Sequence, residues 1–361
     1  MEDVVAILPD FMSILRAKFG RCLSSKLYAD KDSQVCYFAV FDGHGARAIG
    51  VNYGFLGDNL PTPANVVALL KSRNIQKIRI FNPNPDVLTA LGGSGIEVIL
   101  GVRNENLEEL ASDATAAARW VNINVTPYKS SVKFTYISAG NEVIPGPLAG
   151  NVLGAMQNLD AALNAANSPI PVSTVVPMQV LDTSFPPSNG KFSDETAATM
   201  QGIVGFLTAK KAPLLLNAYP FFAHTGDPTN VPLDYALFVG NSAGINDGSL
   251  HYTNLLDAMV DSVYSALEKV GGSTVDIVVS ETGWPSAGNT DAAVENAKTY
   301  TNNLVSHVAS GQGTPKRPGK ALETYIFAMF NENLKPAGVE RNFGLYYPDM
   351  TEVYHVNFPS S

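Results

Sequence analysis

The chain has 361 residues, with 24 basic against 33 acidic side chains and a net charge of −9 at pH 7. That balance argues against a nucleic-acid partner, whose phosphates are met by lysine and arginine. An apolar content of 45% allows a large core, yet no stretch approaches the roughly 20 apolar residues that a membrane-spanning helix needs.

The charge is unevenly placed. Residues 1–48 hold six acids and six bases, so the whole −9 belongs to residues 49–361. Both cysteines, Cys22 and Cys36, lie in the same N-terminal segment. The remainder therefore has neither disulfides nor a cysteine-based zinc site. The start, Met1-Glu2-Asp3-Val4, is acidic and soon meets Pro9 and Asp10. A signal peptide wants a basic start and an uninterrupted apolar run, so this form of the chain is expected to stay in the cytosol. Next comes "VCYFAVFDGHG" (35–45), an apolar strand running into a pattern suited to metal chemistry on phosphate.

From Ile49 onward strands and helices alternate. "IGVNYG" (49–54) is the first strand, and Thr62-Pro63 then offers an N-cap and a first-turn proline before the stripe Val66, Leu69, Leu70. "KIRIF" (77–81), "EVILGV" (97–102) and "VKFTYISAGNEV" (132–143) are the second to fourth strands. A helix with Val152, Met156, Leu159 and Leu163 on one face leads to "PIPVSTVV" (169–176) and "PLLLNAYP" (213–220). The clearest helix carries Leu256, Met259, Val260, Val263, Leu267 and Val270, and ends at Gly271-Gly272. "VDIVVSETGWPS" (275–286) and "ETYIFAMFNEN" (323–333) complete eight strands. Nearly continuous apolar runs suit parallel strands buried on both faces. Eight of them alternating with helices over about 300 residues predict an α/β fold, a (β/α)₈ TIM barrel. A doubly wound open sheet is the fallback.

Chemistry in such a barrel sits at the C-terminal rim of the strands. There the fourth strand ends in Asn141-Glu142 and the seventh in Ser280-Glu281, with Glu332 closing the eighth. A lone glutamate at the mouth of an apolar strand is as often a helix cap or a lysine partner as a functional group. Two facing one mouth suit glycosidic cleavage, where one carboxylate attacks or stabilises C1 and a protonated partner serves the leaving oxygen. Trp284, Tyr53, Phe81, Tyr219 and Phe222 lie at or just past strand ends, where flat rings stack on sugars. Core filling is the plainer reading of each alone. Asn141 is placed to hold a sugar hydroxyl. The histidines outside the first 48 residues lack ligand spacing, and there is no Gly-x-Ser-x-Gly elbow.

Together "IGVNYGFLGDNLP", "AGNEVIPG", "VVSETGWPSAG" and "YIFAMFNENLKPAGVERNFGLYYPD" closely resemble plant glycoside hydrolase family 17, the β-1,3-glucanases, from Ile49 to about Phe358. The resemblance implies a barrel over residues 49–361 that acts as a retaining endo-hydrolase of β-1,3-glucan, working as a monomer without cofactor or catalytic metal. It implies Glu142 as general acid/base and Glu281 as nucleophile, with Lys335 helping to keep Glu281 ionised. Glu332, Lys335 and Glu340 match residues that surround the nucleophile and bind sugar, and Tyr53, Phe81, Tyr219 and Phe222 match cleft aromatics. Phe81 stands where many relatives have tyrosine. Relatives act on wall glucans, in plant defence among other settings, outside the cell or in vacuoles. Asn124-Val125-Thr126 is a glycosylation sequon that matters only if the protein is exported. The rival readings are a β-1,3-1,4-glucanase and a β-glucan-binding barrel without turnover.

Residues 1–48 resemble a different family. "MEDVVAILP" and "YFAVFDGHGA" are similar to the start of metal-dependent protein phosphatases of the 2C type. In that family, residues matching Glu2, Asp3, Asp42 and the carbonyl of Gly43 help hold metal. Further aspartates needed downstream never appear, and 48 residues are too few to bury a stable core. The segment is expected to be a vestige that does not fold alone.

Overall fold

The computed structural model describes residues 48–240 and 244–359. The phosphatase-like motifs, Glu2, Asp3, Asp42 and Gly43 among them, lie outside the described residues.

Eight parallel strands close into a barrel in sequential order. They are β1 (Ile49–Tyr53), β2 (Lys77–Ile80), β3 (Glu97–Val102), β4 (Lys133–Asn141), β5 (Val172–Pro177), β6 (Leu214–Asn217), β7 (Ile277–Thr282) and β8 (Thr324–Ile326). Closure is made by β1 against β8, with Ile49 opposite Thr324. This is the (β/α)₈ architecture that the alternation of elements predicts.

The connecting helices start where the sequence caps them. α1 (Pro63–Ser72) is capped by Thr62, whose hydroxyl accepts from Asn65 N. Asn84 caps α2 (Pro85–Leu91) and Asp113 caps α4 (Ala114–Asn124), which follows the short α3 (Leu107–Ser112). α5 (Ala149–Ala165) buries Val152, Met156, Leu159 and Leu163 completely. α6 (Ala197–Lys210), α7 (Pro220–Gly226), α8 (Leu233–Ala236), α9 (Leu255–Lys269) and α10 (Val294–Ala309) complete the shell. In α9 the predicted stripe is buried apart from Met259, which turns towards the barrel mouth, and Val270, the half-buried C-cap residue.

Two strands are shorter than their apolar runs. β6 stops at Asn217 because Pro220 opens α7 three residues on. Beyond Ile326 the backbone donors scatter. Phe327 N goes to Thr282 O, Ala328 N to Phe343 O and Met329 N to Asn52 O. Residues 327–333 therefore run outside the ladder, and Phe327 and Glu332 among them line the mouth. Three short antiparallel ribbons, at 181–192, 245–252 and 313–318, were not legible in the hydrophobic pattern.

The barrel interior is layered. At the bottom Lys77 Nζ bridges Glu97 (2.7 Å) and Glu323 (3.0 Å), and Tyr325 donates its hydroxyl to Glu323. Above lies an apolar plug of Ile99, Val175, Leu215, Val278 and the Tyr325 ring. The top layer, at the C-terminal rim, is polar.

One buried carboxylate lies far from that rim. Asp261 on α9 is fully buried, accepting from Thr314 Oγ1 at 2.5 Å and Lys316 N at 2.8 Å, which pins the 313–318 ribbon to the helix. Burial pushes its pKa up to about 6. The folded state therefore holds a proton that the unfolded state has released, and stability falls as pH rises from the ordinary aspartate range through 6. Asp261→Asn removes that slope, worth about 2–3 kcal/mol. In urea titrations at pH 4, 5 and 6.5, the stability of wild type relative to the variant should fall as pH rises. A constant difference would show that Asp261 titrates normally.

Candidate active site

The barrel mouth opens into a cleft of about 900 Å³. β4 and β7 each deliver a glutamate to it, Glu142 one residue beyond β4 and Glu281 within β7. Each is held by a different environment.

Glu281 is 6% exposed and faces a cation. Arg79, which points inward from β2 and is itself fully buried, donates Nη1 to Glu281 Oε1 at 2.6 Å. The other carboxylate oxygen accepts from the Tyr219 hydroxyl at 2.6 Å. The guanidinium also donates Nη2 to Asn141 Oδ1 at 2.6 Å and lies 4.6 Å over the Phe81 ring. Both carboxylate oxygens are thus fixed, one by a charge-assisted bond of the strong kind.

Among the described residues no cation is bonded to Glu142. Asn217 Nδ2, from the end of β6, donates to its Oε1 at 2.8 Å. Burial, and then the negative charge of Glu281, push its pKa upward. Its backbone is left-handed, with φ +55°, close after Gly140 at +80°. A non-glycine residue there costs on the order of 1–3 kcal/mol. The turn is held by Glu142 N to Val175 O and by Asn104, which clamps both backbone groups of Asn141 at 2.8 and 3.0 Å. Glu142 is thereby made a weaker acid than an ordinary glutamate, the direction that a general acid requires.

A third carboxylate shapes the wall. Glu332 is 3% exposed, accepts Leu56 N at 2.6 Å and lies 3.6 Å from Lys335 Nζ. Gly54 packs so closely on it that an added Cβ would stand 2.5 Å from Oε1, so the β1 loop needs glycine there.

The family model for glycosyl hydrolases family 17 matches residues 49–358. The chain belongs to that family. Among relatives, a glucan endo-1,3-β-glucosidase of Vitis vinifera is 50% identical, over 87% of this chain and 92% of its own. A Nicotiana tabacum enzyme, named as the basic vacuolar isoform of glucan endo-1,3-β-glucosidase, is 46% identical over 87% of this chain and 86% of its own. The solved structure of CJP38, a β-1,3-glucanase and allergen of Cryptomeria japonica pollen, superposes with a TM-score of 0.84. It is 49% identical and covers 86% of this chain and 98% of its own.

Of the residues singled out in this family 17 sequence, Phe81, Asn141, Glu142, Tyr219, Phe222, Glu281, Glu332, Lys335 and Glu340 line the cleft. Two expected there do not. Trp284 is 1% exposed, packs on Phe221 and Tyr300 and donates Nε1 to Asp291 O, so it supports α7 from beneath. Tyr53 is 4% exposed, wedged between Phe55 and Phe330, and Phe55 and Leu56 face the cleft in its place. Asn141 meets the cleft, but its Oδ1 is already committed to Arg79 and Asn217. Lys335 sits beside Glu332 and over the Phe327 ring, at 4.1 Å, and the cation bonded to Glu281 is Arg79 instead. Arg79, Asn217 and Asn104 are not among the residues that the sequence singles out. Their signal was a charge or amide inside or just beyond an apolar strand, the same signal that marked the glutamates.

The Arg79–Glu281 pair is nearly dry, with side-chain exposures of 1% and 8%. Removing one partner from such a pair typically costs about 3–5 kcal/mol, because the other charge stays buried. Arg79→Met should therefore lower unfolding stability at pH 7 by about that amount. The decisive control is Arg79→Met combined with Glu281→Gln, which should recover most of the loss in urea denaturation. No recovery would mean that the arginine acts through packing.

Proposed function

We propose that this family 17 chain hydrolyses β-1,3-glucan internally and with retention, with Glu142 as general acid/base and Glu281 as nucleophile. The contrast between the two carboxylates carries the reading. Glu281 is held for attack by Arg79 and Tyr219, and burial and the charge of Glu281 shift Glu142 towards its protonated form.

In the first step Glu281 attacks C1, the C1–O bond breaks, and Glu142 gives its proton to the departing oxygen. Glu142 then takes a proton from water, the water oxygen attacks C1, and the ester to Glu281 breaks. Two inversions give retention. The raised pKa of Glu142 widens the pH range in which the acid is ready, and activity falls as pH rises through that value. Phe81, Tyr219 and Phe222 offer apolar faces to the sugar chain, and Glu332, Lys335 and Glu340 offer polar contacts along one wall. The tobacco relative's name supports the vacuole as the working compartment.

Glu142→Gln should cost about 10²–10⁴-fold on laminarin, and far less in glycosylation from an aryl β-glucoside whose leaving group needs no proton. Glu281→Ala should be inactive on both, and azide should restore turnover as the α-glycosyl azide, formed by one inversion. A β-azide from Glu281→Ala, or an α-azide from Glu142→Gln, would exchange the roles. Side-by-side assay on laminarin and mixed-linkage glucan tests the linkage. Faster turnover of the mixed-linkage polymer would replace β-1,3-glucan as substrate.

We further propose that residues 1–48 are dispensable for this activity, because the family match begins at Ile49. A chain starting at Ala48 should hydrolyse laminarin as well as the full chain does. Loss of activity in a folded truncated protein would refute that.

A further inference from the structure

Beneath Glu281 two buried polar atoms have no partner among the described residues, namely Asn52 Oδ1 and Arg79 Nε. Both residues are 0% exposed. They are opposite one another in the β1–β2 register. Their side chains converge on one point across the barrel, the Ser280 carbonyl, which accepts Asn52 Nδ2 at 2.9 Å and Arg79 Nη1 at 3.4 Å. One orphan is an N–H of a cation and can only donate. The other is an amide oxygen and can only accept. They are complementary, belong to residues paired across β1 and β2, and are not bonded to each other.

We propose that Asn52 and Arg79 together bind one buried water molecule, and that Asn52 is thereby a positioning residue for Glu281. The water accepts from Arg79 Nε and donates to Asn52 Oδ1. Buried waters typically serve two to four such groups. The consequence is mechanical. Glu281 and Asn141 draw on the Nη1 and Nη2 ends of the guanidinium, while Phe81 covers its face. Without a bond at Nε the planar group is free to tilt about that edge. With the water it is tied on all three nitrogens, and the oxygen of Glu281 that it holds keeps its direction. The kinetic part of this inference rests on Glu281 being the nucleophile, and the water itself does not.

Three variants separate a polar role from a packing role. Asn52→Leu is close in size but removes the acceptor. Asn52→Ser is smaller, keeps a hydroxyl and leaves room for a second water. Under the proposal the leucine variant loses about 10- to 100-fold in kcat on laminarin, with KM within about twofold, and the serine variant regains most of that activity. Asn52→Asp supplies a second carboxylate for Arg79, diluting its hold on Glu281, and should move the acid limb of the kcat/KM profile to higher pH. A crystal structure of the full chain, refined well enough to order waters, should show density within hydrogen-bond reach of both Arg79 Nε and Asn52 Oδ1. Dry density there overturns the water site whichever glutamate attacks. Tolerance of leucine with loss in serine overturns the positioning role and leaves packing as the reason for Asn52. If the azide experiment exchanges the two glutamates while the density is present, the water stands and only its link to the nucleophile fails.

Discussion

A fully buried guanidinium under the cleft floor sets the terms for everything around it. Arg79 cannot lose its charge at any working pH, and a charge in a dry barrel must be matched by acceptors. Glu281 supplies the opposite charge, while the amide oxygens of Asn141 and Asn217 and the Ser280 carbonyl take remaining N–H groups. These acceptors come from β4, β6 and β7. One side chain on β2 thereby ties together strands on the far side of the barrel. Such a pair is weak evidence for stability, since well-packed apolar replacements often do as well. Its persistence here fits a demand for direction, which a methionine would not meet.

The same cation explains why two nearby carboxylates behave differently. Arg79 touches Glu281 and only lowers Glu142 at a distance, so one carboxylate has an attached counter-charge and the other has a neutral amide. Asn217 links them. Its Nδ2 donates to Glu142, and its Oδ1 accepts from Ser280 Oγ at 2.8 Å and from Arg79. An aspartate at that position would reverse the donor and disturb both carboxylates at once. The left-handed backbone of Glu142 adds a local cost that the Asn104 clamp holds in place. Strain of this kind collects where a side chain must face one way.

How much of this was readable from the residues divides along a physical line. The barrel was legible because long apolar runs alternating with helices suit strands buried on both faces, and each of the eight runs overlaps one observed strand. Glu142 and Glu281 were legible because a carboxylate ending an apolar strand is conspicuous. Arg79 is equally conspicuous inside "KIRIF", yet it lies at an inward position below the rim, whereas barrel chemistry is expected at the strand ends. Trp284 and Tyr53 show the opposite error. Proximity to a strand end says nothing about which way a ring turns, and both turn under the rim into the core. Lys335 was assigned to Glu281 by resemblance, whereas the path after β8 carries it to Glu332. Irregular backbone beyond Ile326 decides that path, and no periodicity encodes it.

The layered interior resolves a problem that the sequence poses on β2 itself. Lys77 and Arg79 are two residues apart on one strand, so both point inward, about 7 Å apart by strand geometry. Two positive charges on one inward face repel, by an amount that falls with the distance between their side-chain ends. The barrel neutralises each separately. Lys77 is met at the bottom by Glu97 and Glu323, and Arg79 at the top by Glu281. The plug of Ile99, Val175, Leu215, Val278 and Tyr325 stands between the two sets and keeps water from joining them. A change in the bottom network is therefore felt as stability, and a change in the top layer both as stability and as the balance between Glu142 and Glu281.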